Sequence, residues 1–276
     1  MTGLHILDQI VRKKKVEIAA AKKAVSVADL EQRAKVRTDF RPFLKSLAQP
    51  GLHGVNIIAE VKRASPSKGV IRANIDPADY ARRYESAGAA AVSVLTDREF
   101  FRGSIDDLYG ARNAVELPVL RKDFIVSSYQ VQESVALGAD AVLLIVRILS
   151  AHQLKDYLAL SRELQVDALV EVHSEEEFDI ASEAGALLIG VNNRDLDVFK
   201  TDINTSVRLA KRFMPGQIGV AESGINSRKD ILKICDAGIF NFLIGESLVR
   251  ANDTRGFMEN LIGAQDTESI GLGKQA

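Results

Sequence analysis

Four short apolar runs in this chain each end in a charged residue. They are Asn56-Ile57-Ile58-Ala59-Glu60-Val61-Lys62, Leu117-Pro118-Val119-Leu120-Arg121-Lys122-Asp123, Ala168-Leu169-Val170-Glu171-Val172 and Ile218-Gly219-Val220-Ala221-Glu222-Ser223. Burying an unpaired carboxylate or ammonium is costly, so four such endings point to charges that meet in one place. With Lys62 and Arg194 they give three negative and three positive groups. A pocket that is densely charged but nearly neutral can hold each group at an altered pKa. A lysine beside carboxylates stays protonated and can deliver a proton. A glutamate in an apolar wall is raised toward neutrality and can act as acid or base. The competing reading is a salt-bridge network that seals one end of the fold, but buried pairs with no other task rarely justify their desolvation.

A second constellation reads as a phosphate site. Ala221-Glu222-Ser223-Gly224-Ile225 leaves one apolar run, and Leu243-Ile244-Gly245-Glu246-Ser247 leaves the next. Ser223 offers a hydroxyl, Gly224 and Gly245 permit close backbone approach, and Arg194 offers a planar charged fork. The carboxylate of Glu246 would repel phosphate, so only its N–H is expected to face a ligand. Capping and turn chemistry is the plainer reading of these loops. The polar segment Lys62-Arg63-Ala64-Ser65-Pro66-Ser67-Lys68-Gly69 can be read as a lid or as an ordinary surface loop. Phe100 and Phe101 can wall a pocket or belong to the core.

The elements that must position these groups alternate regularly. Runs rich in Val, Ile and Leu fall near 56–61, 90–95, 117–121, 140–146, 166–172, 186–191, 217–222 and 240–244. Continuous apolar character marks strands buried on both faces. Amphipathic stretches of helical length lie between them, at 77–87, 127–137, 151–164 and 227–236. Strand and helix alternating in this way predict parallel βαβ units. Gly88, Gly138, Gly185 and Gly238 each follow a helical stretch and precede an apolar run, recurring every ~50 residues or about two βα units. Eight strands with a pairwise repeat favour a (β/α)8 barrel over an open sheet, and no G-x-G-x-x-G follows the first strand. In a barrel, alternate strands supply one layer. Glu60, Lys122, Glu171 and Glu222 are therefore expected to share a layer, with Lys62 one step higher.

The expected organisation is one domain over 1–265, including an N-terminal helical extension over 1–50, with a disordered tail over 266–276. Ile6, Leu7, Ile10, Val11 and Ile18 form the apolar stripe of a long basic helix in that extension. It either packs across one end of the barrel or covers the mouth. A net charge of -1 gives no sign of nucleic-acid or membrane attraction, and no apolar run approaches the ~20 residues of a membrane span. The single cysteine, Cys235, excludes an intrachain disulfide and reads as a small packed residue. His173 has no partner at metal-ligand spacing and is expected in a loop, and His5, His53 and His152 fall in surface segments. No metal is expected.

Five motifs now match a known family. Ile58-Ala59-Glu60-Val61-Lys62-Arg63-Ala64-Ser65-Pro66-Ser67, Leu120-Arg121-Lys122-Asp123-Phe124, Leu169-Val170-Glu171-Val172-His173, Ile189-Gly190-Val191-Asn192-Asn193-Arg194-Asp195-Leu196 and Ala221-Glu222-Ser223-Gly224-Ile225 closely resemble indole-3-glycerol phosphate synthase, over about residues 4 to 262. The resemblance implies a (β/α)8 barrel with an N-terminal helical extension. It implies conversion of 1-(2-carboxyphenylamino)-1-deoxyribulose 5-phosphate to indole-3-glycerol phosphate, carbon dioxide and water, without a cofactor. By the same resemblance Lys122 is the general acid, Lys62 pairs with the substrate carboxylate, and Glu171 is the acid/base of dehydration. Glu60 and Glu222 hold the lysines and substrate, and Asn192 binds the reacting region. Ser65, Phe101, Arg194, Ser223, Gly224, Gly245 and Glu246 are the implied substrate and phosphate contacts. The expected partner is a phosphorylated small molecule, with no nucleic acid and no membrane, for a cytoplasmic monomer. Three rival readings compete with this one. The related phosphoribosylanthranilate isomerase needs a cysteine base at a strand end, where Cys235 does not lie. A Schiff-base lyase would use Lys122 or Lys62. A catalytically silent phosphate sensor would have no need of six charged positions.

Overall fold

The structure is a computed structural model and describes residues 6–51, 53–195 and 200–264. His5, Leu196 and the tail expected over 266–276 lie outside the described residues. Eight parallel strands close into a barrel in chain order: β1 (Asn56–Val61), β2 (Ala91–Leu95), β3 (Val119–Lys122), β4 (Ala141–Ile145), β5 (Asp167–Val172), β6 (Leu188–Asn192), β7 (Ile218–Glu222) and β8 (Asn241–Ile244), which pairs back onto β1. Among the described residues, no helix is long and apolar enough to cross a membrane.

The apolar runs became strands because both their faces are covered. β1, β2, β4, β6 and β8 are buried at every position. The expected helices form as α4 (Pro77–Ser86), α6 (Ser128–Ala136), α7 (Ala151–Glu163) and α10 (Arg228–Cys235). Each is slightly shorter than its amphipathic stretch. Ser127 and Ser227 sit before the helices as caps, their hydroxyls accepting from Tyr129 N and Asp230 N. α5 (Ile105–Ala114), α8 (Glu175–Glu183) and α9 (Asn204–Ala210) complete the alternation. Gly88, Gly138, Gly185 and Gly238 all have positive φ, between 83° and 105°, and so end a helix and turn the chain into the next strand.

The N-terminal extension is α1 (Ile6–Ala24), α2 (Val27–Val36) and α3 (Phe43–Ser46). Ser26 breaks the long helix by forming a capping box with Asp29. Phe43 and Leu47 plug the amino end of the barrel. Both are fully buried against Ile58 and Leu120, and Leu44 N donates to Asp167 at the start of β5, 2.7 Å away. Arg37 and Arg112 grip the buried Asp140 carboxylate at 2.6 and 2.5 Å on the same side.

The strand register settles the layers. Glu60 pairs with Ser93, Val94 with Arg121, Leu144 with Val170, Glu171 with Gly190, Val191 with Ala221, Leu243 with Glu222 and Ala59 with Ile244. Advancing one residue per strand for the tilt leads from Glu60 to Lys122, Glu171, Glu222 and back to Glu60. These four residues are one layer on alternate strands. Ser93, Leu143, Gly190 and Leu243 lie immediately beneath, over a floor of Ile58, Leu120, Leu169 and Val220. Leu95, Ile145, Asn192 and Gly245 lie above. The layer expected from sequence is the one formed.

Candidate active site

Lys122 is the hub of the charged layer. Its Nζ lies 2.5 Å from Glu222 Oε2, 3.6 Å from Glu171 Oε2 and 3.8 Å from Glu60 Oε2. Burial favours a neutral amine, but the carboxylates of Glu222, Glu171 and Glu60 outweigh it and raise the Lys122 pKa, so the group is a held ammonium. Lys62 Nζ contacts the other oxygen of Glu60 at 2.5 Å. Burial pushes the Glu60 carboxyl up, and Lys62, Lys122 and Arg194 more than offset it, so Glu60 is held ionised. Glu222 goes the other way. Its burial dominates, Glu171 and Glu60 add repulsion, and Lys122 compensates only in part, leaving its pKa at about 7. Three carboxyls against two ammoniums leave one surplus negative charge, and Glu222 is where a proton is most easily taken up.

Two glycines make room for these carboxylates. A Cβ on Gly190 would lie 2.1 Å from Glu222 Oε1, and one on Gly245 would lie 2.3 Å from Glu60 Oε1. Gly245 was read from sequence as allowing a ligand close to the backbone, yet the group that approaches it is Glu60. A Cβ on Gly224, at φ 77°, would likewise meet Thr201 Cγ2 at 2.4 Å, so this glycine answers to packing. Its neighbour Ser223 also has positive φ, 66°, which is rare for a residue with a side chain. Asn193 Nδ2 donates to the Ser223 carbonyl at 3.1 Å and ties the loop after β6 to the loop after β7.

On the rim of the cavity, Arg194 Nη1 donates to Ser67 Oγ at 3.1 Å, and Nη2 lies 3.4 Å from Glu246 Oε2. The Glu246 side chain was expected to point away. It turns inward instead, because Arg194 and Arg250 both attract it. The segment 62–69 is more ordered than a plain loop: 64–65 and 69–70 pair as a short hairpin, and Arg63 anchors it to Asp107. Ser65 Oγ is buried with no hydrogen-bond partner among the described residues and lines the cavity.

The cavity over the charged layer has a volume of about 370 Å³, in the range of small-molecule sites. All the residues assigned to the site from sequence line it: Glu60, Lys62, Ser65, Phe101, Lys122, Glu171, Asn192, Arg194, Glu222, Ser223, Gly224, Gly245 and Glu246. Phe101 tilts against Phe124 with ring centroids 5.9 Å apart and forms part of an apolar wall. The rest of that wall includes Ile6, Leu7 and Ile10 of α1, so the extension reaches over the mouth as well as plugging the far end.

Sequence reasoning missed the clasp that holds α1 there. Lys14 is buried and lies 2.9 Å from both Asp97 and Asp123, in the loops after β2 and β3. Its signal was present, since Lys14 occupies a position on the stripe Leu7, Ile10, Ile18, where an apolar residue is expected. His173 does lie in a loop, but its side chain is buried, not solvated, and touches Glu171 and Glu177. Cys235 ends α10 half-buried against the core.

The model of the family described as indole-3-glycerol phosphate synthase matches residues 7–261. The chain belongs to the indole-3-glycerol phosphate synthase family. It is 56% identical over 258 residues to the indole-3-glycerol phosphate synthase of Syntrophobacter fumaroxidans, covering 94% of this chain and 97% of that one. It is 55% identical over 258 residues to the indole-3-glycerol phosphate synthase of Desulfosudis oleivorans, covering 93% and 98%. Among solved structures, a thiamine phosphate pyrophosphorylase from Pyrococcus furiosus matches with a TM-score of 0.57 at 16% identity, over 79% of this chain and 97% of that one. That likeness is one of barrel fold.

Proposed function

We propose that this chain, as an indole-3-glycerol phosphate synthase, closes the indole ring of 1-(2-carboxyphenylamino)-1-deoxyribulose 5-phosphate with loss of carbon dioxide and water. The observation that carries the assignment of roles is Lys122, held as an ammonium by three carboxylates under a cavity with Arg194 on its rim. Ring closure turns a ketose carbonyl oxygen into a hydroxyl, and Lys122 donates the proton. Lys62, steadied by Glu60, pairs with the carboxylate that leaves as carbon dioxide. In the dehydration Glu171 takes a proton from the new ring while a lysine ammonium of the layer delivers one to the hydroxyl, which leaves as water, and Glu222 sets the charge around Lys122. Asn192 holds the reacting region. Arg194 and the Ser223–Gly224 turn hold the phosphate, Ser65 presents its free hydroxyl, and Phe101 flanks the aromatic ring.

This reading includes a cytoplasmic monomer working on a phosphorylated small molecule, with no cofactor, metal, nucleic acid or membrane, and one domain over 1–265. The test is direct. The chain contains no tryptophan, so an indole product is bright against it. Purified protein given the carboxyphenylamino substrate should develop indole fluorescence, and a flat trace sinks the proposal. Borohydride trapping of a substrate–lysine adduct would favour a Schiff-base lyase instead.

A further inference from the structure

Glu171 faces Lys122 with one oxygen and a buried histidine with the other. Its Oε2 lies 3.6 Å from Lys122 Nζ, and its Oε1 lies 3.4 Å from His173 Nε2. The far side of the ring is also carboxylate-bound: His173 Nδ1 is 3.0 Å from Glu177 Oε2, which also accepts from the His173 backbone N at 2.7 Å. Glu177 Oε1 accepts from Arg147 Nε at 2.8 Å. The His173 side chain is only 3% exposed and stands behind Glu171, outside the lining of the cavity.

A neutral imidazole donates from one nitrogen and accepts at the other, so here it would turn a lone pair toward a carboxylate. An imidazolium donates from both. The groups facing the ring are Glu171 from β5, Glu177 from α8 and Arg147 after β4. Burial pushes the ring toward neutrality and Arg147 adds to that, but Glu177 and Glu171 outweigh both and raise its pKa. Glu177 is itself pushed up by burial and brought down to about 2 by His173 and Arg147, so it is a fixed anion. At 3.4 Å the Nε2 contact with Glu171 is one of charge and not an aligned hydrogen bond, since Nε2 has no hydrogen-bond partner among the described residues. It orients Oε1 without using it up as an acceptor.

We propose that His173 is a positioning residue: held as an imidazolium by Glu177, it draws one oxygen of Glu171 toward itself and so aims the other at Lys122. This rests on the reading of Glu171 as the acid/base of the dehydration. Glu171 touches substrate in that reading, and His173 acts only through it.

The test combines a spectrum with kinetics. Long-range proton–nitrogen spectra of protein labelled with ¹⁵N-histidine, assigned with His173→Asn, report the charge of each ring. The His173 nitrogens should both remain in the imidazolium range at neutral pH, above the ordinary value of about 6.5. His173→Asn and His173→Gln should lower kcat about tenfold with KM within about twofold, a split that loss of fold alone would not give. In a Glu171→Gln background the same change should have no further effect. A neutral His173 ring at neutral pH overturns the proposal, and should neither variant fold, replacing His5, His53 and His152 assigns its signals by elimination. An unchanged kcat in His173→Asn beside a slow Glu171→Gln overturns it too. A fully active Glu171→Gln instead removes the reading of Glu171 and with it the role of any residue acting through it, while the spectrum still reports the ring's charge.

Discussion

Lys122 Nζ sits 2.5 Å from Glu222 Oε2, inside a ring of three carboxylates contributed by alternate barrel strands. Because the ammonium is surrounded by anions, its charge is secure. Lys122→Met keeps most of the length and removes the proton. We expect kcat to fall about a thousandfold while KM changes less than about threefold. Equal loss in both would make Lys122 a binding group, and steady-state kinetics alongside product binding separates the two.

Glu222 is the carboxyl whose charge changes in the working range. Its pKa is raised from the ordinary 4.5 to about 7, so between these values the folded chain binds a proton that the unfolded chain has lost. The stability contribution of this residue therefore falls as pH rises from 4.5 to about 7 and is flat outside that window. Activity should run the opposite way, since the carboxylate is the form that grips Lys122. The kcat profile of the native chain should rise through a midpoint near 7. In Glu222→Gln that limb should vanish, and its melting temperature should gain on the native chain as pH rises through the window. Retention of the limb in the variant would assign it to another group.

Gly190 separates the needs of the fold from those of the site. A methyl there would sit 2.1 Å from Glu222 Oε1 and 3.2 Å from Leu169 Cδ1. The carboxylate end is the atom able to move, so the strand tolerates the change and the charge cluster does not. Gly190→Ala should lose activity at least about tenfold, with a drop in melting temperature of only a few degrees, about 1 kcal/mol. Full activity would mean that Glu222 works equally well from a displaced position.

The barrel and its charged layer were legible because both depend on period and register. Continuous apolar runs mark strands covered on both faces, and charges on alternate strands fall into one layer once the tilt is fixed. The clasp of Lys14 on Asp97 and Asp123 was not legible. It joins residues about eighty to one hundred and ten positions apart, and only the misplaced lysine on an apolar stripe hinted at it. The glycines were found but partly misread. Gly245 and Gly224 make space for Glu60 and Thr201, side chains whose approach depends on tertiary packing. His173 was set aside for want of a metal partner, and its actual neighbours are a strand carboxylate and a helix carboxylate.

The Lys14 clasp should matter to both stability and binding. Lys14→Met leaves Asp97 and Asp123 buried without their ammonium, and breaking a buried pair in this way costs about 3 kcal/mol. The pH sense follows from Asp123. Burial pushes its carboxyl up, while Arg121 and Lys14 more than compensate and bring it down to about 2. Its stabilisation is therefore complete above the ordinary value of 3.8 and is lost as pH falls toward 2. The variant should show a shallower acid loss over that window. Since Ile6, Leu7 and Ile10 of the same helix wall the cavity, KM should rise more than kcat falls. Unchanged KM would show that α1 stays in place without the clasp.

Arg194 and Glu246 make opposite demands on a phosphate. Arg194 Nη2 lies 3.4 Å from Glu246 Oε2, so the fork that should hold phosphate is partly occupied by a carboxylate of its own chain. Burial pushes the Glu246 carboxyl up, but Arg250, Arg194, Lys62 and Lys68 bring it down, so it is ionised when a phosphate arrives. In the proposed role of Arg194, a bound dianion would compete with this carboxylate, whose other oxygen Arg250 Nε already holds at 3.2 Å. Arg194→Ala should therefore raise KM at least about tenfold with kcat nearly constant, the pattern of lost uniform binding. Glu246→Gln removes the competitor and the repulsion but keeps the shape. It should lower KM and tighten inhibition by inorganic phosphate about threefold, with a steeper salt dependence, because Arg194 then meets phosphate without a paired anion. Weaker phosphate inhibition in Glu246→Gln would show that the carboxylate orients Arg194 instead of competing for it.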